Sequence, residues 1–144
     1  MIRIKFIKLR ESAHIPQKAH KDDAGFDLYA SEDYTLKAHS FGCVPTALSI
    51  ELPDGYEAQV RPRSGLAAKY GVTVLNAPGT IDAGYRGELK VILINHGEQD
   101  FAITAGMRIA QLIVSPVLPA RFVEAAVLAE SDRGDGGFGS SGEK

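Results

Sequence analysis

The residues with the richest chemistry lie together in Asn76-Ala-Pro-Gly-Thr-Ile-Asp-Ala-Gly-Tyr-Arg-Gly-Glu-Leu-Lys-Val-Ile-Leu-Ile-Asn95. Its centre, residues 81–89, reads as a β-hairpin in which Gly84 and Gly87 flank an aromatic at the turn. Glycine takes positive φ there without steric cost. Asp82 stands at the mouth, Tyr85 at the tip, and Arg86 and Lys90 make the hairpin locally basic. A single Asp beside a turn is ordinarily turn chemistry, and a single Tyr is ordinarily packing. The neighbouring cations argue for more, because a chain of net charge −2 that handles a polyanion must gather its cations locally.

Three further stretches carry polar groups in suggestive places. In Arg61-Pro-Arg-Ser-Gly-Leu-Ala-Ala-Lys-Tyr-Gly-Val72, Ser64 has the side chain of an N-cap and Gly71 suits a helix end, which predicts one short helix. Helix N-termini attract anions, so Arg63 and Ser64 placed there would form a phosphate site. An ordinary capped turn with a solvated arginine fits the same residues. Asp27, between Phe26 and Leu28, reads by default as an outward-facing strand residue. Gln111, among Ile109, Ala110, Leu112 and Ile113, needs a partner if buried. His14, His20, His39 and His96 lack metal-ligand spacing and read as solvated.

Residues 131–144 turn to Gly, Ser and Asp and are too poor in apolar groups to order themselves. Gly134, Gly136 and Gly139 satisfy G-x-G-x-x-G, but no helix follows, which excludes a dinucleotide-binding turn. Arg133-Gly134-Asp135 is an integrin-type tripeptide of the kind that arises by chance. Phe138, alone among glycines and serines, has no rationale in a plain linker.

Strands must position these residues. The chain of 144 residues suffices for one domain with its own core. Ile2, Ile4 and Phe6 alternate with Arg3 and Lys5, the period of a half-buried strand. Residues 11–23 read as a surface loop. Leu48, Ile50 and Leu52 stand against Ser49 and Glu51, and Tyr56, Ala58 and Val60 against Glu57, Gln59 and Arg61. Pro53-Asp54-Gly55 between them predicts a second hairpin. Residues 89–95 are apolar on both faces, as a central strand is. Residues 108–114 make another strand, and 122–129 are ambiguous between strand and helix. With no long helical period, the pattern predicts an all-β sandwich or barrel. The acidic balance argues against a nucleic-acid partner. No stretch is long enough for a membrane span, and the one cysteine, Cys43, fits a reducing, cytoplasmic setting.

The stretch 76–95 resembles the third of five motifs of the trimeric dUTP pyrophosphatases, the dUTPases. Ala24-Gly-Phe-Asp-Leu-Tyr-Ala30 resembles the first motif, 61–72 the second, 108–114 the fourth and 131–144 the fifth, in the family's order. The resemblance implies a jelly-roll-like β-sandwich or barrel of the dUTPase β-clip kind. It also implies a β domain over 1–130 and a flexible C-terminal arm, 131–144, that closes over the active site. The implied reaction is hydrolysis of dUTP to dUMP and pyrophosphate, which limits uracil incorporation into DNA and supplies dUMP for thymidylate synthesis.

By the same resemblance, Asp82 is the general base and Arg133 an arginine delivered by the arm. Arg63, Ser64 and Gly65 grip the phosphates, and Gln111 lies near the scissile one. Tyr85 packs under the deoxyribose and leaves no room for a 2′-hydroxyl. The backbone around Gly79, Thr80, Ile81 and Lys90, with Asn76 below, reads the uracil edge. Phe138 stacks on the base, while Gly139, Ser140 and Ser141 fold over the terminal phosphate; the family more often has Thr where Ser141 stands. Asp27 acts through water on a Mg²⁺ held mainly by the triphosphate. The family's homotrimers build each site from three chains. Two alternatives share the fold: a dCTP deaminase or bifunctional relative, from which Asp82-Ala-Gly-Tyr85 and the complete arm depart, and a dUTP-binding regulatory protein.

Overall fold

The computed structural model describes residues 1–138 and 140. The described residues form eleven strands and one helix: β1 (Lys5–Lys8), β2 (Phe26–Tyr29), β3 (Tyr34–Leu36), β4 (Phe41–Pro45), β5 (Leu48–Glu51), β6 (Tyr56–Arg61), α1 (Ser64–Tyr70), β7 (Val72–Val74), β8 (Gly79–Ile81), β9 (Lys90–Asn95), β10 (Phe101–Ile103) and β11 (Arg108–Pro116). All pairings are antiparallel. The largest sheet runs β2-β11-β6-β8, a second runs β4-β9-β7, and β1-β5 and β3-β10 are two-stranded.

Alternation along these strands sends one apolar face inward from each sheet. Leu28, Ala58, Val60, Ile81, Ile109, Ala110 and Leu112 from the larger sheet meet Val44, Val72, Val74, Val91 and Leu93 from the second in one core. Leu36, Phe101 and Ile103 join from β3 and β10. The one buried side-chain amide among the described residues is fully engaged: Asn95 Nδ2 donates to the Leu36 and Gln99 carbonyls, and Oδ1 accepts from the Gly97 N–H. The result is a jelly-roll-like β sandwich with one short helix.

Both expected hairpins are corrected. Gly55 does take φ +82 in its turn, but β5 pairs with β1, whereas β6 pairs with β11 and β8. Likewise β8 pairs with β6, and β9 with β4 and β7. The 82–89 stretch is therefore a loop that crosses from one sheet to the other. The reason lies in β9 itself. A strand apolar on both faces takes a central place, and with β4 and β7 filling both its edges none is left for β8. Alternation reports which face is buried and says nothing about the partner.

Smaller differences have local causes. The N-terminal strand starts at Lys5, and its residues lie exposed along β5. Ile2, Ile4 and Phe6, with Ile15, Pro16, Phe26, Ile50 and Leu112, line an apolar groove of about 240 Å³. Ser49 is buried, not outward-facing, because its hydroxyl donates to the Arg86 carbonyl at 2.7 Å. Arg63, not Ser64, is the N-cap residue of α1, with extended φ −89 and ψ 124 and no side-chain cap bond. The Arg63 carbonyl accepts from the Leu66 and Ala67 N–H groups, so Ser64 falls in the first turn. Gly71 ends the helix at φ +67, as its position predicts. Residues 122–129 are neither strand nor helix, and the chain is exposed from 117 to 130.

Candidate active site

The edge strand β8 forms one wall of a cleft of about 430 Å³. Asn76, Gly79, Thr80, Ile81, Tyr85 and Lys90 all line it, so of the residues expected around the base and sugar the structure brings these six together, and Phe138 is not among the lining. Val60, Cys43, Glu88, Leu89 and Ile92 complete the lining. Because β8 ends its sheet, the backbone groups on its outer side have no ladder partner, which is what main-chain recognition of a base edge requires. Gly79 is buried, and a Cβ there would stand 3.1 Å from Asn76 Nδ2. A side chain at 79 would therefore press on the amide at the cleft wall.

Tyr85 is fixed in two ways. Its N–H donates to the Asp82 carbonyl at 3.0 Å, closing a turn, and its hydroxyl donates to the Glu88 carbonyl at 2.9 Å. Neither Gly84 nor Gly87 has positive φ, contrary to expectation. Gly87 matters for close approach instead: a Cβ there would lie 2.4 Å from Tyr85 Oη. Arg86 Nη1 donates to the Ala83 and Tyr85 carbonyls, so this guanidinium closes the loop on itself and does not face the cleft as a free cation. Asp82 is exposed, and among the described residues its carboxylate has no hydrogen-bond partner.

The second group sits across the larger sheet. Asp27 is buried at 6% exposure, not outward-facing, and it is paired twice. Arg108 Nη1 donates to its Oδ2 at 3.2 Å, and Arg63 Nε lies 3.7 Å from its Oδ1. Arg63 Nη1 also donates to the Arg108 carbonyl at 3.1 Å. A carboxylate taken from water needs such partners, and the cations repay part of its lost hydration. Gln111 stands in register between Asp27 and Arg61, half-buried beside this cluster. Arg108 is the residue sequence reasoning missed. Its signal was a buried-strand Asp needing a cation, with Arg108 three positions before Gln111 in the stretch already singled out.

Asp27 and Thr80 lie on the two edge strands of this sheet, β2 and β8, which are three interstrand spacings or about 14 Å apart. The hydrogen bonds and ion pairs of the described residues do not link Asp82 or Tyr85 to Asp27, Arg63 or Gln111. Nor does the structure bring the described part of the tail to either group. Arg133 Nε donates to the Gly136 carbonyl, the Ser140 N–H donates to the Gly137 carbonyl, and Phe138 is fully exposed. Gly139 and Ser141 lie outside the described residues.

The donor set limits the metal chemistry. Among the described residues no three His, Cys, Asp or Glu side chains converge on a point, and both Asp27 oxygens face arginines. That set fits a cation only if the cation arrives with its own phosphate oxygens. No helix among the described residues is long and apolar enough to cross a membrane.

Fold and site together define an all-β protein equipped to hold a phosphorylated small molecule, with a guanidinium cluster at one sheet edge and a base-sized cleft at the other. The sequence matches the dUTPase family profile over residues 11–142. It is 54% identical over 140 residues to the deoxyuridine 5'-triphosphate nucleotidohydrolase of Clostridium tetani, with 97% of each chain covered. It is 51% identical over 144 residues to that of Clostridium acetobutylicum, covering all of this chain and 99% of the relative. The chain belongs to the dUTPase family. Among solved structures, a variant of the staphylococcal phage 80alpha dUTPase with dUpNHpp superposes with a TM-score of 0.89 at 25% identity, covering 97% of this chain and 98% of that one. A variant of the phage phi11 enzyme, described for its coordination of a structural Mg(II) ion, shares the fold with a TM-score of 0.81 at 24% identity, covering 87% and 97%.

Proposed function

We propose that this protein hydrolyses dUTP to dUMP and pyrophosphate in the cytoplasm. The observation that carries the reading is the cleft itself: an edge strand with one open side for the base, beside a tyrosine packed against a glycine for the sugar. Uracil placed along β8 meets backbone groups of Thr80 and Ile81, with Asn76 and Lys90 at the rim. Cytosine would present a donor where uracil presents an acceptor and would leave buried groups unpaired. The Tyr85 ring fills the space a 2′-hydroxyl would need, so UTP is turned away sterically.

Asp82, exposed and with no carboxylate partner among the described residues, is free to accept the proton of a water. The water oxygen forms a bond to the α-phosphorus, the bridging α–β P–O bond breaks, and pyrophosphate leaves. Phosphoryl chemistry asks the protein mainly for positioning and charge neutralisation. Arg63, Ser64, Gly65 and Gln111 supply donors at the phosphate end. A Mg²⁺ carried by the triphosphate would supply charge neutralisation, with Asp27 acting on it through water. The 131–144 arm brings Arg133 to the phosphates, Phe138 to the base, and Gly139, Ser140 and Ser141 over the terminal phosphate.

The working form is a homotrimer with shared sites. Leu118, Phe122, Val123, Val127 and Leu128 are all 71% exposed or more in the single chain, an unusual display of apolar surface that a neighbouring copy would cover. Arg133 and Phe138 lie beyond this segment, so covering it on another copy carries them to that copy's site.

The test is pyrophosphate release from dUTP, with dCTP, dTTP and UTP alongside and Asp82→Asn as control. Release from dUTP alone, abolished by Asp82→Asn, is expected. Ammonia from dCTP, or binding of dUTP without turnover, would overturn the reading.

A further inference from the structure

We infer that Glu88, held by Arg10, is the positioning residue of the 82–89 loop and sets how well the cleft discriminates against a ribose. The inference rests on the roles proposed above for Asp82 and Tyr85. Several groups stitch this loop to the 46–49 segment. Thr46 Oγ1 donates to the Leu89 carbonyl, Ser49 Oγ to the Arg86 carbonyl, and the Leu89 N–H to the Leu48 carbonyl. All of these use the loop's backbone. Among the described residues, Glu88 is the one side chain of the loop that hydrogen-bonds outside it.

Its carboxylate has little contact with water, at 16% side-chain exposure, and it gathers partners from three directions. Oε1 accepts from Arg10 Nη2 at 2.5 Å and from the Ala47 N–H at 2.9 Å. Oε2 faces Lys90 Nζ at 3.9 Å. Ala47 is fully buried at φ +57, a left-handed conformation that a residue with a Cβ adopts only when its surroundings enforce it. Glu88 supplies the acceptor for that buried N–H.

The link to function is the Glu88 backbone. Its carbonyl accepts the Tyr85 hydroxyl, so the side chain that pins residue 88 also pins the support of the sugar-facing ring. The same carboxylate faces the ammonium of Lys90, which lines the cleft. Removing the carboxylate frees the carbonyl at 88, and the ring moves with it. A displacement near 1 Å at such a support costs rate and selectivity together.

The experiment compares Glu88→Ala, Glu88→Gln and Arg10→Met with Tyr85→Ala as reference. It measures KM and kcat for dUTP and UTP, and amide hydrogen exchange across 82–89. Glu88→Ala is expected to raise KM for dUTP and cut the dUTP-over-UTP preference, each about tenfold, with faster exchange at the Tyr85 amide. Glu88→Gln, which keeps an acceptor for Ala47 and Arg10, restores most of the preference. Arg10→Met shifts it in the same direction as Glu88→Ala but less. Arg10 is 46% exposed, so this variant and Glu88→Gln carry the test if Glu88→Ala fails to fold. Unchanged exchange, KM and preference in these variants, with only a lower melting temperature, would overturn the inference. If Tyr85→Ala keeps full preference while Glu88→Ala loosens the loop, the assignment of Tyr85 fails and the positioning by Glu88 stands.

Discussion

Asp27 and Arg108 are 81 positions apart in sequence and meet at 3.2 Å where β2 runs beside β11. The pairing gives a buried carboxylate its cation and fixes a guanidinium beside Arg63, at the end of the site proposed to hold the phosphates. Asp27→Asn leaves two guanidinium groups facing a neutral amide. Its expected cost is about 1–3 kcal/mol of stability, read from the urea midpoint, together with a raised KM for dUTP. Arg108→Met removes one of the two cations and shifts both readouts the same way.

Asp82 differs from Asp27 in every relevant respect. It is exposed and unpartnered among the described residues, so the fold does not depend on it. Asp82→Asn is expected to change stability by no more than about 0.5 kcal/mol while turnover falls by a factor of about 10²–10⁴. Thermal unfolding and pyrophosphate release on the same preparation separate the two effects.

The described arm residues bond only to one another, as Arg133 does to Gly136. Deleting residues 133–144 is expected to leave the melting temperature unchanged. Turnover should fall about a thousandfold or more, the scale on which arginine fingers act. A truncated chain with full turnover would remove the arm from the mechanism.

The sequence was legible where one residue type meets one physical need. Alternation identified β5 and β6, a run apolar on both faces identified β9, Gly71 marked the helix end, and the stretch 76–90 held Asn76, Gly79, Thr80, Ile81, Tyr85 and Lys90 of the cleft lining. What alternation cannot carry is partnership. Pro53-Asp54-Gly55 and Asp82-Ala83-Gly84 have the composition of hairpin turns, yet both carry the chain between sheets, because a central strand with both edges filled refuses its sequence neighbour. The same gap hid Arg108 and Glu88, whose importance is set by contacts to Asp27 and to Arg10 and Ala47.

The exposed apolar segment supports the proposed trimer and offers a way to test it. A lone chain showing Leu118, Phe122, Val127 and Leu128 at 83% exposure or more would be prone to associate. Sedimentation equilibrium is expected to give three times the 15.4 kDa chain mass. The double variant Leu118→Ser with Phe122→Ser should move the population toward monomer and lower activity in proportion. A fully active monomer would show that one chain holds a complete site.

Gly84 and Gly87 look alike in sequence and should behave differently. Around Gly84 nothing lies within 4 Å of a built Cβ, and its φ is not positive, so Gly84→Ala is expected to be neutral or stabilising by about 0.4–1 kcal/mol through the unfolded chain. At Gly87 the same methyl would sit 2.4 Å from Tyr85 Oη and 2.6 Å from Cζ. The ring is 45% exposed and free to swing aside, so the stability change should stay small, about 1 kcal/mol or less. Swinging aside, however, breaks the bond to the Glu88 carbonyl and opens the space proposed to lie beneath the sugar. Gly87→Ala is therefore expected to raise UTP turnover relative to dUTP, whereas Gly84→Ala leaves the ratio unchanged. Equal ratios in the two variants would mean that the ring over Gly87 is packing alone.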